Sequence, residues 1–289
     1  MMRLAVALLW LLHLLPLGAI AAIGRGLGAV LWHLAKERRS VVRTNLRLCF
    51  PAMPEGEREA LAREHIKLVM RSFLERSLAW WASAERIRRL VRIDGLEAFK
   101  ALAANRPTIL LVPHFVGLDM CATRLALEIN AVSIYANQKN ATLNRLLLHG
   151  RSRFGEQLLL SRQDGVRATI KATRAGRPFY YLPDQDYGAR DAIFVPFFGV
   201  PAATITGLSR LARLGDAAVV PCIAHMLKGG QGYVLSIGEP WADFPGGDIE
   251  ADTLRMNQAI ERFVLAMPAQ YYWVHKRFKT RPPGGQRIY

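Results

Sequence analysis

The stretch TILLVPHFVGLDM, residues 108–120, decides the fold. TILLV at 108–112 is a short apolar run closed by a proline, the pattern of a strand buried on both faces. Pro113 suits the end of such a strand better than its middle, because it has no N–H to give a sheet ladder. Gly117 then permits a turn, and a helix is predicted from about residue 118. His114 and Asp119 stand five positions apart across that turn. On one continuous helix, residues five apart diverge by about 140°. The two side chains can meet only if His114 lies in the turn and Asp119 in the helix after it. With 7 His and 23 acidic residues in 289, roughly half of one His-x4-acid pair arises by chance. Position, more than spacing, gives this pair its meaning.

Outward from this stretch, apolar β-rich runs alternate with helical segments beyond about residue 90. Strands are predicted at 108–112, 132–136, 157–160, 179–182, 218–224 and 233–238. Helices are predicted around 118–129, 140–153, 164–175, 204–214 and 250–266. This alternation implies an α/β fold, a mixed and largely parallel sheet flanked by helices. Ligands of such sheets gather beyond the carboxyl ends of the strands, which is where TILLV delivers His114.

Composition narrows the partners. The net charge is +16 and the isoelectric point about 10.4, so the chain attracts anions: nucleic acid, a membrane surface, an acidic protein or a phosphorylated substrate. Yet 51% of residues are hydrophobic and the mean hydropathy is +0.11, which excludes a disordered basic tail. A chain both basic and greasy points to the membrane surface. Cys49, Cys121 and Cys222 are far apart with no CxxC or His/Cys cluster, so neither a disulfide framework nor a metal site is expected.

From Leu4 to Gly24 no charged residue occurs, about the 20 residues a helix needs to cross a bilayer. Arg3 alone precedes this segment, whereas Arg25, Lys36, Arg38, Arg39, Arg43 and Arg47 follow it. Basic residues stay on the cytoplasmic side, so residues 1–24 are expected to form a single uncleaved pass with the body inside the cell, ahead of a signal peptide cleaved near AIA at 19–21 or a helix lying in the interface. Residues 25–90 read as a basic amphipathic helical segment at the membrane surface. Within it Leu61, Ile66, Val69, Phe73 and Trp80 recur near helical spacing with arginines on the other face. This is either a core-facing helix with a solvated arginine face or a surface on anionic lipid with Trp80 and Trp81 at headgroup depth. Residues 91–289 form the α/β body.

Three further stretches carry candidate chemistry. YYLPDQDYGARDAIFVPFFGVPAAT, 180–204, places Asp184 and Asp186 after a predicted strand, followed by an apolar segment whose prolines exclude a central strand. An apolar segment beside a polar cluster suits a site that joins a lipid tail to a polar headgroup. NQKNATLNRLLLHGRSRFG, 137–155, carries Lys139, Arg145, Arg151 and Arg153. Arg151 and Arg153 directly precede a strand and could hold phosphates or carboxylates bidentately. YYWVHKRFKTRPPG, 271–284, sets aromatics and His275 among four Lys and Arg residues, as an interface anchor, a nucleic-acid patch or a charged end.

PHFVGLDM, NQKN with GRSRF, YLPDQDYGARDAIFVPFFGVPAATITGLSRLA and YYWVHKRFKTRP, in this order, resemble the late acyltransferases of lipid A biosynthesis, most closely the lauroyl-transferase type of β-proteobacteria and Neisseria. With the N-terminal segment, the resemblance covers essentially the whole chain. The PDQDYG block is the specific part; the His-x4-acid element is shared with glycerolipid acyltransferases. Many lipid A enzymes carry Glu where this chain has Asp119, as in the glycerolipid branch.

The resemblance implies a glycerolipid-acyltransferase-like fold and transfer of a lauroyl-like chain from acyl carrier protein. The acceptor is the 3-hydroxyl of an acyl chain on a Kdo-bearing, phosphorylated lipid A precursor, at the cytoplasmic face of the inner membrane. It implies no cofactor beyond the acyl-carrier-protein donor. His114 would be the general base and Asp119 its orienting carboxylate. Arg151 and Arg153 would meet substrate phosphate or charge, and Asp184 and Asp186 would shape the site or touch polar substrate groups. No GxSxG nucleophile accompanies them, which favours direct transfer. Anionic inner-membrane lipids are expected partners; nucleic acid is not. The rival enzyme is a membrane-bound glycerophosphate-type acyltransferase, and the non-enzymatic rival a membrane-tethered protein binding anionic ligands.

Overall fold

The computed structural model describes residues 2–138, 140–161 and 165–289; Lys139 therefore lies outside the described residues. The chain begins with four helices: α1 (Met2–Leu12), α2 (Leu17–Leu34), α3 (Lys36–Cys49) and α4 (Glu55–Trp81). There follow α5 (Ala84–Leu90), β1 (Val91–Asp94), α6 (Leu96–Asn105), β2 (Thr108–Leu111), α7 (Leu118–Leu125) and β3 (Val132–Tyr135). The middle of the chain forms α8 (Ala141–Ser152), β4 (Leu158–Ser161), α9 (Gly165–Arg174), β5 (Phe179–Tyr181), β6 (Ala192–Phe197) and β7 (Val200–Ile205). It closes with α10 (Gly207–Gly215), β8 (Ala218–Met226), β9 (Tyr233–Ile237) and α11 (Ile249–Ala266).

Seven strands form one sheet in the order β1-β9-β8-β2-β5-β3-β4. Every neighbouring pair is parallel except β8 with β9, so the mixed, largely parallel sheet read from the sequence is the one that forms. All six predicted strands are present. β2 lies at the centre with all four residues buried, which is why TILLV reads as an unbroken apolar run. Connections between parallel strands are right-handed. The path from β2 through β3 to β4 therefore sets α7 and α8 on one face, and the return from β4 to β5 sets α9 on the other. The packing agrees: α4 lies against α7 and α8, whereas α9 lies against α10.

Two strand features were not anticipated. β1 emerges from what reads as the tail of a helical stretch. The apolar segment after PDQDYG is a separate two-stranded hairpin in which Pro196 faces Pro201. Away from the main sheet, a strand can carry prolines whose missing N–H leaves no central ladder broken. Phe198 and Gly199 make its turn, both with positive φ, as tight hairpins require.

The N-terminal reading needs correction. The apolar segment 4–24 is not one helix: it breaks before Pro16, where the residues preceding a proline leave the α region, and a second helix starts at Leu17. α2 is the one described helix long and apolar enough to cross a membrane, and a third of it is buried in the protein. Gly24 and Gly28 lie against α4; a Cβ there would come 2.5 Å from the Cα of Arg71 and of Lys67 respectively. Small residues at this spacing let two helix backbones touch. Ile23, Leu27, Val30 and Leu34 form the opposite, exposed stripe. Leu17, Ile20 and Trp32 share one hydrophobic core with Leu78, Ile109 and Leu110, so the packing shows no break at residue 24 or 90. Trp80 is buried rather than at headgroup depth, and fills the space left by Gly150 of α8.

Candidate active site

His114 and Asp184 reach each other through the register of the sheet. Leu111 of β2 is paired with Tyr181 of β5. Each strand continues for two residues to a proline position, Pro113 or Pro183, and then presents a polar side chain. His114 and Asp184 are therefore each three residues beyond partnered positions at the carboxyl ends of adjacent parallel strands. One Asp184 oxygen accepts the His114 backbone N–H at 2.8 Å, and the other accepts Nδ1–H at 2.6 Å. The Asp184 side chain is 1% exposed and that of His114 19%. Burial opposes ionisation of Asp184, but His114 outweighs it and holds the carboxyl below its usual range.

Two charge-assisted bonds to one carboxylate define both the position and the tautomer of the ring. With Nδ1 donating to Asp184, Nε2 carries the lone pair, and among the described residues no hydrogen bond reaches it. The ring lies 6.4 Å from that of Tyr272. The cavity behind the pair, beside Asn45, His275 and Arg277, has a volume of only about 10 Å3. That is too small for an acyl chain.

Asp119 is on α7 as expected, yet the ring nitrogen Nδ1 is not its partner. Arg76 of α4 donates to Asp119 from Nε at 2.5 Å. Burial would raise the Asp119 carboxyl, but Arg76, aided by Arg151 and His114, holds it below its usual range. Asp119 is thus an anion paired with Arg76 and stabilised electrostatically by Arg151 and His114, while Asp184 makes the orienting contact. Gly117 also differs from its sequence reading. Its φ is −79°, open to any residue. What the position lacks is space, because a Cβ would sit 3.2 Å from the Tyr233 ring.

The remaining candidates separate. Arg151, in the last turn of α8, is exposed and acts electrostatically on Asp119. Arg153 turns away: its guanidinium donates to the Ala82 carbonyl and lies 4.1 Å from the Phe154 ring centre. Burial lowers its basicity. Asp186 is committed to the backbone around it, accepting from Gly188 N–H at 2.9 Å, Thr280 N–H at 2.7 Å and Thr280 Oγ1 at 2.8 Å. Among the described residues no group of three or more His, Cys, Asp or Glu is gathered as metal ligands would be.

Arg76 was missed because an arginine on a long helix reads as a solvated charge. The Asp184 contact had a visible signal. LLVPH at 110–114 and YYLPD at 180–184 share one pattern, an apolar strand, a proline and a polar residue, and such twins end side by side where, as here, their parallel strands are neighbours.

The model of the bacterial lipid A biosynthesis acyltransferase family matches residues 1–280. The chain belongs to that family. It is 36% identical to the lipid A biosynthesis lauroyltransferase of Escherichia coli K12, over 97% of this chain and 92% of that protein. The palmitoleoyltransferase of the same organism is 30% identical, over 98% and 92%. The myristoyltransferase is 32% identical, over 92% and 81%. Their names differ in the acyl group, so kinship alone leaves chain length undecided. Among solved structures, the 1-acyl-sn-glycerophosphate acyltransferase PlsC of Thermotoga maritima aligns with a TM-score of 0.42 and 14% identity, over 88% of this chain and 98% of that one. As a member of its family, the chain is an acyltransferase of lipid A biosynthesis.

Proposed function

We propose that this acyltransferase moves a lauroyl-like chain from acyl carrier protein to the 3-hydroxyl of an acyl chain on a Kdo-bearing lipid A precursor. His114 Nε2 removes the hydroxyl proton as the oxygen attacks the thioester carbonyl. The new C–O bond forms, the C–S bond breaks, and the imidazolium returns its proton to the departing thiolate. Asp184 keeps the ring in the required tautomer and stabilises the imidazolium. Asp119 holds Arg76 and Arg151 together at the site, and Arg151 meets the acceptor's phosphate. Developing charge on the carbonyl oxygen requires donors, supplied by backbone N–H groups or a guanidinium. No acyl-enzyme and no cofactor are needed.

The observation that carries this reading is His114 Nδ1 clamped by Asp184, with Nε2 unbonded among the described residues, at the carboxyl end of a central strand. The exposed stripe of α2 and the apolar surface of α1 suit insertion into the inner membrane, with the basic body on anionic lipid at its cytoplasmic side.

Purified protein is incubated with acyl carrier protein thioester and either the Kdo-lipid A precursor or a glycerophosphate acceptor. Acylation of the first, abolished by His114→Ala, is expected; acylation of glycerophosphate alone assigns the chain to the glycerolipid chemistry instead.

A further inference from the structure

The segment from Gln270 to Thr280 runs across the back of the catalytic pair and bonds to both of its arms. On the His114 side, the Val116 N–H donates to the Gln270 carbonyl and the Tyr272 N–H to the His114 carbonyl, each at 2.9 Å. On the Asp184 side, the Asp186 N–H donates to His275 Nε2 at 2.8 Å, and Thr280 closes on the Asp186 carboxylate with two bonds. The strap is itself fixed from behind. Asn45 of α3, fully buried, donates from its amide to the carbonyls of Trp273 and His275 at 2.7 and 2.8 Å.

His275 is distinctive in this strap because its imidazole acts as an acceptor. An N–H donor at Nε2 requires a lone pair there, so the ring is neutral and carries its proton on Nδ1. Its surroundings keep it so. Its pKa is held down to about 4, chiefly by burial, with Asp184 and Asp186 opposing and Arg277 and His114 assisting. The bond falls on the peptide two residues beyond Asp184, where the loop could otherwise swing.

We propose that His275 is a positioning residue for acyl transfer. By accepting the Asp186 N–H, it holds the loop from Pro183 to Asp186 in the one conformation where the Asp184 carboxylate spans both the backbone N–H and Nδ1 of His114. This rests on the reading of His114 as the base, and extends it to a residue that touches neither substrate nor the reacting atoms.

The experiment compares His275→Ala and His275→Gln with the wild type and His114→Ala. In each, kcat and KM are measured against pH with acyl carrier protein thioester and the lipid A precursor, and the downfield Nδ1 proton of His114 is recorded by NMR. Activity in the wild type and its loss in His114→Ala test the underlying reading separately. If that reading fails, the NMR arm still tests the loop.

In His275→Ala, kcat is expected to fall about tenfold to a hundredfold with KM within about twofold. The acid limb should move to lower pH, because the carboxylate that stabilises the imidazolium is no longer held. The downfield proton should broaden or vanish. In His275→Gln, whose side-chain oxygen can accept the same N–H, both signals should largely return. An unchanged acid limb and an intact downfield proton in His275→Ala overturn the proposal, as do equal losses in the two variants. If His275→Ala does not fold, the glutamine variant decides: native kinetics and an intact proton support an acceptor role, and their loss refutes it.

Discussion

Asp184 holds His114 by two bonds at once, from one oxygen to the backbone N–H and from the other to ring Nδ1. A carboxamide in its place can satisfy one of these acceptor demands but presents an NH2 group to the other. Asp184→Asn is therefore expected to favour the wrong tautomer or release the ring. kcat should fall by about 10²–10⁴ with little change in thermal unfolding. Steady-state rates and circular dichroism on the same preparation check this; a loss below threefold removes Asp184 from the catalytic pair.

How much of this site was legible in sequence depends on the range of each contact. His114 could be located because a buried strand, a proline and a turn are local signals within thirteen residues. Asp119 could be placed on a helix for the same reason, but its partner could not. Arg76 lies forty-three positions away on a helix whose pattern announces only which face is apolar. Even that pattern misleads at Arg71 and Glu75, which are buried as an ion pair with Tyr233, while Phe73 is exposed. Seventy positions separate His114 from Asp184, and their meeting follows from β2 and β5 being neighbours, a fact of topology. The six apolar strands were readable because each is short and bounded by turn residues. The hairpin around Phe198 was not, because its two prolines argue against a strand wherever the sheet is assumed to be continuous.

Arg76 and Asp119 form a pair whose members should fail together. Arg76→Gln and Asp119→Asn are each expected to reduce transfer, and the double variant to be hardly worse than the poorer single one. Partners in contact show coupling of about 0.5–3 kcal/mol in a double-mutant cycle. Additive losses in kcat/KM, measured across the four proteins, exclude the pair as a functional unit.

Arg151 and Arg153 offer a sharper contrast than their spacing suggests. Arg151 faces solvent and the Asp119 cluster, so Arg151→Gln should raise KM for the phosphorylated acceptor and leave the melting temperature within a few degrees. Arg153 supports the Ala82 carbonyl and stacks on Phe154, so Arg153→Gln should lower the melting temperature and leave KM near native. Kinetics and thermal unfolding on both variants decide it; the reverse outcome would place Arg153 at the substrate.

The contact of α2 with α4 depends on two glycines and leaves a third indifferent. Any Cβ at Gly24 or Gly28 meets α4 backbone at 2.5 Å, whereas at Gly26 no described residue lies within 4 Å. Gly28→Leu is expected to force the helices apart and lower stability by several kcal/mol, in the range of other overpacked cores. Gly26→Ala should be neutral or stabilising by up to about 1 kcal/mol. Thermal unfolding in one detergent compares the two, and equal effects at positions 26 and 28 would contradict the packing.

His65 makes the fold acid-labile. It is fully buried on α4, its Nδ1–H donates to the Ala269 carbonyl at 2.9 Å, and Nε2 has no partner among the described residues. Burial, only partly offset by that bond, pushes its proton affinity down from 6.5 to about 4. Between these values the unfolded chain binds a proton that the native chain refuses, so stability falls as the pH drops through this window and is fully present above it. A shift of this size corresponds to at most roughly 3 kcal/mol. His275 acts in the same sense over the same range. Glu75, raised by burial to about 7, acts oppositely, since its contribution is lost as the pH rises. His65→Gln keeps a polar side chain that does not titrate. Its melting temperature should therefore fall less than the wild type's between pH 6.5 and 4.5, even if it is lower at pH 7. An identical decline in both proteins would assign the acid lability to other groups, His275 first among them.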